Sequence, residues 1–462
     1  MRKIAIIGSG QAGLLSAHAL LAAGYEITLF SDRSAQDWLD KSRPTGSAVR
    51  FRHAQLFEQE LGLDQWHDVA PPVEGVYLHF CPDAGNQLLT MNGRLQHAAM
   101  AIDLRLQSHR WMLELESRGG SVEIEKITTA RLEEIAAAHD LVIVAAGGGP
   151  LAGLFSRNVA RSVYDRPQRK LCMLAIYNVP MTMDGCPFSP VKFNLIGTMG
   201  ESFWAPYYHK DVGVSWAGVF EAKPGSGLDR FDGLESAQEA LDVSKQIYKE
   251  LFPWNYSWIR DAEVSDELSW LTGAVVPTVR EPVARLSSGH LVCAVGDTAM
   301  TLDPIGGQGA NNGNRMVRHL TSAIVSRGEQ PYDEDWLRET FEGFYARHGG
   351  VTNQFNNLLL EPLTAAGKLL LISQYGSDGA LPTRTASQRL ADAIADNFSD
   401  PTRMTPAFVD TAEARRAIER IAGRSWWRSF LAGAAAVARN QLRQKLGRAP
   451  VHPGEPSQNV RA

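Results

Sequence analysis

Two glycine-rich stretches have the residue types and spacing to hold a phosphorylated ligand. Gly8-Ser9-Gly10-Gln11-Ala12-Gly13 fits G-x-G-x-x-G after an apolar strand and at the opening of a helix, the context in which that pattern has physical meaning. The first glycine permits a tight turn, the second lets backbone approach a pyrophosphate, and the third lets helix and strand pack closely. The helix start adds free N–H groups and about half a positive charge. With Asp32 placed 19 residues beyond Gly13, the pattern predicts a bound dinucleotide, against the bland alternative of a structural turn. The acid that grips an adenosine ribose normally closes the second strand. Here Ser31 stands there, followed by Asp32 and Arg33, so the hold on the adenosine half is expected to be weaker or differently arranged.

The second stretch is a strand ending in Gly296-Asp297, then Pro304, then Gly307-Gln308-Gly309-Ala310-Asn311 opening another helix. Asp297, an acceptor at a strand's carboxyl end, can bond the hydroxyls of a ribityl chain, while the 307–311 backbone presents N–H groups to an anion above the helix. A reduced flavin carries negative charge on its pyrimidine edge, which a helix start stabilises. An N-cap aspartate and a tight loop are the plain alternatives.

The elements that must position these stretches can be read in outline. Lys3 to Ile7, a helix from about Gln11 to Ala23 and Glu26 to Phe30 form a βαβ opening. A helix is predicted over Asp103 to Arg118, with Leu104, Trp111, Met112 and Leu115 near one face and Gly119-Gly120 as its stop. The strand Leu141 to Ala146 follows. Period-two segments such as Ser202 to Tyr207 and Val212 to Phe220 suggest an antiparallel sheet. The expected division is a discontinuous nucleotide domain (1–75, 100–160 and 286–330), a substrate domain (76–99 and 161–285), a helical region (331–448) and a loose tail (449–462). The fold class is therefore α/β, Rossmann-like, with an inserted antiparallel-sheet domain and C-terminal helices.

Composition narrows the partners. The chain has 462 residues, 44% hydrophobic and 21% charged, with a net charge of -5, which gives no electrostatic reason to expect nucleic acid. Cys81, Cys172, Cys186 and Cys293 are scattered without metal spacing and read as reduced, buried thiols; no metal is expected. Neither a signal-peptide core nor a run of about 20 apolar residues occurs, so a cytoplasmic protein without an integral membrane segment is expected.

The two motifs at this separation resemble the para-hydroxybenzoate-hydroxylase-like FAD-dependent monooxygenases, and the details look most like their styrene and indole monooxygenase branch. The closer match lies in Ser31-Asp32-Arg33, Arg43 to Trp66, Asp103-Leu104-Arg105-Leu106, Arg166 to Arg169 with Leu171-Cys172, and Gly273 to Pro277 with Arg280, leading into Gly296-Asp297 and Asp303-Pro304. It covers roughly residues 1 to 400. The resemblance implies FAD lying extended, with Arg43, Ser47, Arg105, Ala146 and Gly147 near it and the Pro304 to Asn311 loop beside the isoalloxazine. It also implies oxygen transfer from a flavin C4a-hydroperoxide, formed from O2, to a small apolar, aromatic-type substrate, with styrene- or indole-like epoxidation favoured. Such an oxygen donor asks the protein mainly to exclude water and hold the substrate. Two departures stand out: Ala299-Met300 replace the histidine the broader group carries after Gly-Asp, as in the branch itself, and Pro44-Thr45-Gly46-Ser47 differs from the branch pattern.

No second G-x-G-x-x-G unit follows a strand, so reduction is expected from outside, and the resemblance implies reduced FAD handed over by a separate NAD(P)H:flavin reductase. Substrate-wall candidates are Gly46, Phe203, Trp204, Tyr207, Tyr208, His209, Trp216 and Pro277, with His53 and His79 as further possibilities for the site; ordinary packing is the competing explanation for each. A homodimer is left open. Arg424 to Arg448 reads as a basic, partly amphipathic helix, which docks on the protein in the plainest reading and contacts a partner or a membrane surface in others. Competing functions are a single-component NAD(P)H-dependent aromatic hydroxylase, a flavin halogenase and a binding protein that lost the chemistry. The halogenase W-x-W-x-I-P signature finds no match in Trp254-Asn255-Tyr256-Ser257-Trp258-Ile259.

Overall fold

The computed structural model describes residues 1–46, 49–183, 185–375 and 386–448. The chain groups into two compact units. The first comprises Met1–Val69, Ile102–Gln168 and Ala274–Asn357. Its six-stranded sheet runs, in spatial order, Val283–Arg285, Leu291–Ala294, Leu141–Val144, Lys3–Ile7, Glu26–Ser31 and Ser121–Ile124. All neighbours are parallel except the edge pair Val283–Arg285 and Leu291–Ala294. Ile4 to Ile7 and Leu141 to Val144 are buried throughout, as continuous apolar runs in a sheet covered on both faces must be.

The helix Gln11–Ala22 follows the first strand, and the predicted second helix spans Leu104–Ser117, capped by the Asp103 carboxylate on the Arg105 N–H at 3.0 Å. Trp111, Met112 and Leu115 face the core as expected. Leu104, in the first turn, stays partly exposed, which narrows the predicted apolar face. Gly119, at φ +92°, ends the helix in a conformation that disfavours side chains.

The second unit comprises Ala70–Ala101, Arg169–Gly273 and Leu358–Ala462. Its eight-stranded sheet runs Glu263–Val264, Lys170–Tyr177, Gly213–Ala222, Gly200–His209, Pro190–Ile196, Pro72–Cys81 and Leu89–Met100, with Trp270–Ala274 also paired to Lys170–Tyr177. The sheet carries the antiparallel pairs that alternation suggests, together with a parallel pair. Pro72–Cys81 arrives from an earlier part of the chain and lies parallel to Pro190–Ile196, a pairing that no hairpin signal could disclose. Residues of period two split between its faces: Trp204, Trp216 and Phe220 join Tyr248 and Trp258 in one core, while Phe203 packs on Phe193 and, with it, near Phe398. The helices expected over 331–448 divide between the units. Glu334–Phe344 belongs to the first, and Ala365–Gln374, Ala386–Ser399, Thr411–Ala422 and Trp426–Lys445 to the second.

Candidate functional site

The first glycine turn is built by close approach. A Cβ on Gly8, which has φ +113°, would lie 2.4 Å from the Ala145 carbonyl oxygen, and one on Gly13 would lie 1.9 Å from that of Gly8. Gly10 is different: a Cβ there meets nothing within 4 Å. The protein needs glycine at 8 and 13 for its own packing, whereas the space above Gly10 is open. Gly10 also starts the helix without a side-chain cap, which leaves the N–H groups of the first turn, at Gln11 and Ala12, for an anion.

Around this turn the second strand closes in neutral chemistry. The Ser31 hydroxyl is buried, 2.6 Å from that of Ser9, and donates to the Arg33 carbonyl at 2.6 Å. Trp38 Nε1 donates to Ser9 Oγ at 3.0 Å. Asp32 accepts from Nε and Nη2 of Arg33 at 2.8 and 2.9 Å, and that guanidinium holds its carboxyl below the ordinary range. Arg33 further donates to Ser42 and lies over the Trp38 ring.

The second glycine stretch adjoins the first. Gln11 Nε2 donates to the Ala310 carbonyl at 3.4 Å, and a Cβ on Gly296, at φ +60°, would press within 2.8 Å of the Ala12 methyl. Thr298 Oγ1 donates to the Gly147 carbonyl at 3.1 Å, tying the Gly-Asp turn to the chain just past Ala146 and the strand Leu141–Val144. Asp297 is exposed, with its carboxylate beside the helix start at Gly309. Pro304 opens a short turn that Gly307 leaves in the left-handed region (φ +60°), and the helix Gly309–Arg327 then begins at Gln308 without a side-chain cap. Gln308 is buried and donates to the Gly306 carbonyl. Asn311 binds its neighbourhood together: its amide donates to Val49 O at 2.7 Å and to Gly307 O at 2.9 Å, accepts from the Phe51 N–H at 3.0 Å, and its carbonyl meets His53 at 3.2 Å. Two uncapped helix starts and two strand ends thus meet at one place in the first unit.

Other candidates are placed less simply. Arg43 is half-buried, Gly46 has φ +158°, and Ser47 lies outside the described residues. Arg105 is fully buried and forked onto Asp103, Nη2 to Oδ2 at 2.7 Å, so its charge is already matched. Pro277 sits between Val276 and Thr278, which line a cavity of about 710 Å³ with Gly149, Arg157, Asp165 and Arg280. Arg280 also donates to the Asp297 carbonyl, and burial lowers the pKa of its guanidinium against the pull of the Asp297 carboxylate. The arginines of this cavity went unassigned from sequence; the isolated bridge between Arg157 and Arg280, 123 residues apart, gives no local signal.

In the second unit the aromatic candidates separate. Trp204 and Trp216 are fully buried and meet Trp258 edge-on at 5.7 and 5.2 Å, so these two, expected to line a substrate wall, form core instead, because even-numbered positions of their strands turn into the aromatic cluster. Phe203, Tyr207 and His209 take the opposite face of the strand Gly200–His209, and Tyr208 is only partly buried. His209 accepts the Asp211 N–H at Nδ1 and donates from Nε2 to Asp266 at 2.8 Å, which fixes its tautomer. His79 Nδ1 accepts from Gln87 at 2.9 Å, and its ring lies against Tyr77 and Trp254. All four cysteines are buried and free.

The chain's likenesses to known proteins bear on this geometry. Residues 147–257 match the family described as styrene monooxygenase A putative substrate binding domain. Styrene monooxygenase StyA of Pseudomonas fluorescens is 28% identical over 428 residues, covering 88% of this chain and 95% of the relative, and StyA of a Pseudomonas species is 27% identical over the same length. The chain is similar to the styrene monooxygenases over most of its length. The relatives it resembles are FAD-dependent monooxygenases, and the chain is accordingly an oxidoreductase. Solved structures share the fold: a triple mutant of the flavin-dependent brominase Bmp2 at TM-score 0.60 and 14% identity, covering 92% of this chain and all of that one, and a flavoprotein/dehydrogenase from Cytophaga hutchinsonii at 0.60 and 11%, covering 91% and 98%. The residues fit the flavin nucleotide that such relatives imply: the open space above Gly10, two uncapped helix starts and an exposed Asp297 carboxylate between them. Among the described residues no helix is long and apolar enough to cross a membrane.

Proposed function

We propose that this chain is the oxygenase component of a two-component system, which takes reduced FAD from a separate NAD(P)H:flavin reductase and uses O2 to put one oxygen atom into a small apolar, aromatic-type substrate of the styrene or indole kind. The observation that carries the reading is the meeting of the two glycine-lined helix starts, joined by Gln11 and Ala310, in a chain related to styrene monooxygenase StyA.

The residues divide the work. The N–H groups beyond Gly10 hold the pyrophosphate, and Asp297 accepts from hydroxyls of the ribityl chain. The helix start at Gly309, with no acidic residue in its first turn, favours negative charge on the ring system. Bound in reduced form, FAD supplies the electrons that activate dioxygen for transfer of one oxygen atom. Ser31 offers a neutral hydroxyl where a ribose-gripping acid would add a charged acceptor, and Asp32 is committed to Arg33. A loose adenosine grip suits a cofactor delivered by another protein and released after each turnover.

The test is direct. Chemically reduced FAD and oxygen are mixed with the protein and, in turn, styrene, indole and a thioether, and product masses are read. A mass gain of one oxygen without any NAD(P)H supports the reading. Rapid NADH oxidation by the isolated protein with FAD would make it a single-component hydroxylase, and halide incorporation would make it a halogenase.

A further inference from the structure

The helix Trp426–Lys445 presents apolar residues in the wrong direction for a helix that simply docks. Its inner face is made of small or polar residues: Ser429, Gly433, Ala436 and Asn440 are buried, and Gly433 sits so close that a Cβ would lie 1.8 Å from the Ile372 carbonyl oxygen. Asn440 donates to the Tyr375 hydroxyl, and Gln444 Nε2 donates to the Gln87 carbonyl at 2.5 Å. That face anchors the helix to the second unit. The opposite face should be polar, yet it carries Trp427, Leu431, Ala435, Ala438 and Leu442, a helical stripe at i, i+4, i+8, i+11 and i+15, with Trp427 46%, Leu431 57% and Leu442 59% exposed.

Charge selects the occupant. From 420 to 448 the chain holds seven Arg and Lys and no Asp or Glu, although the whole protein is net negative at -5. Arg428 and Arg439 lie along one edge of the stripe by helical position, and Lys445 near the other. We propose that this face seats in the surface of an anionic lipid bilayer, the stripe entering the acyl boundary and the basic edges resting on lipid headgroups, with the helix lying in the membrane plane. A second copy of the chain is the poorer occupant, because apposed stripes would bring two sets of basic edges together without an acid to offset them.

The test uses the full chain and vesicles of phosphatidylcholine alone or with 30% phosphatidylglycerol. The expected result is co-sedimentation with the anionic vesicles only, weakened several-fold between about 0.1 and 0.5 M salt, and at least tenfold weaker for Leu431→Asp/Leu442→Asp. Both leucines are solvent-exposed, so the variant should keep its thermal midpoint, which is measured alongside. Quenching of tryptophan fluorescence by brominated lipid should fall in Trp427→Phe. Equal vesicle binding by wild type and the double variant overturns the proposal. So does absence of vesicle binding, whether light scattering then shows a dimer that the double variant dissociates or polyglutamate binds in its place.

Discussion

The hydroxyls of Ser9 and Ser31 stand 2.6 Å apart, and Ser9 also accepts from Trp38 Nε1 at 3.0 Å, so the middle of the glycine turn is pinned to the end of the second strand and to the short helix Ala35–Asp40. Ser9→Ala removes the acceptor of the buried Trp38 Nε1–H and the donor to the buried Ser31 hydroxyl. We expect a stability loss of about 1–2 kcal/mol in urea unfolding, together with weaker FAD binding because the turn loses its fixed shape. Unchanged unfolding with unchanged affinity would contradict this role.

Asp297 gives a prediction separable from folding, because its backbone carbonyl, rather than its carboxylate, bonds Arg280, and the surrounding protein pushes its carboxyl pKa up only to about 6, so that it is ionised at neutral pH. Asp297→Ala should keep the thermal midpoint and weaken reduced-FAD binding about tenfold or more, the scale of a hydrogen bond to a charged acceptor. Equilibrium titration under anaerobic conditions measures it.

The βαβ opening was legible because its three signals agree: a continuous apolar run, a glycine turn and a helix all fall in the first 31 residues, and the structure places them as Lys3–Ile7, Gln11–Ala22 and Glu26–Ser31. The second glycine stretch was legible for the same reason. Its contact with the first was not, since Gln11 and Ala310 lie 299 residues apart and only folding brings them together. Period-two alternation found the strands Gly200–His209 and Gly213–Ala222 but could not say which face looks into the core. Trp204 and Trp216 therefore looked like wall residues and turn out to be centres of packing.

Glycines 10 and 13 make a matched pair. Gly13→Ala would force a methyl to 1.9 Å from the Gly8 carbonyl oxygen and should unfold or strongly destabilise the protein, whereas Gly10→Ala meets no protein atom and should leave the thermal midpoint within about 1 °C. Calorimetry on the two variants distinguishes packing from ligand space.

His18 sets an acid limit. It is buried, bonded at Nε2 to the Trp111 carbonyl at 2.9 Å, and burial depresses its pKa from 6.5 to about 4. The unfolded chain takes up this proton first on acidification, so stability is lost as pH falls from about 6.5 to 4, by roughly 3 kcal/mol in all. His18→Gln should flatten that part of the stability profile, read from urea midpoints at pH 6.5 and 4.5.

Arg50 and Glu58 form a buried pair at 2.8 Å, with Arg50 also donating to Gln107. Glu58→Leu should cost about 3–5 kcal/mol by stranding the arginine, and adding Arg50→Met should recover much of it. Urea unfolding of the single and double variants tests both halves.

The central claim is that both helix starts serve one flavin, and binding stoichiometry tests it most directly. Anaerobic titration with reduced FAD should give one molecule per chain, and either Gly10→Ala or Gly309→Ala should weaken that single event by tenfold or more while the protein stays folded. Two independent binding events, or full affinity retained by either variant, would contradict it.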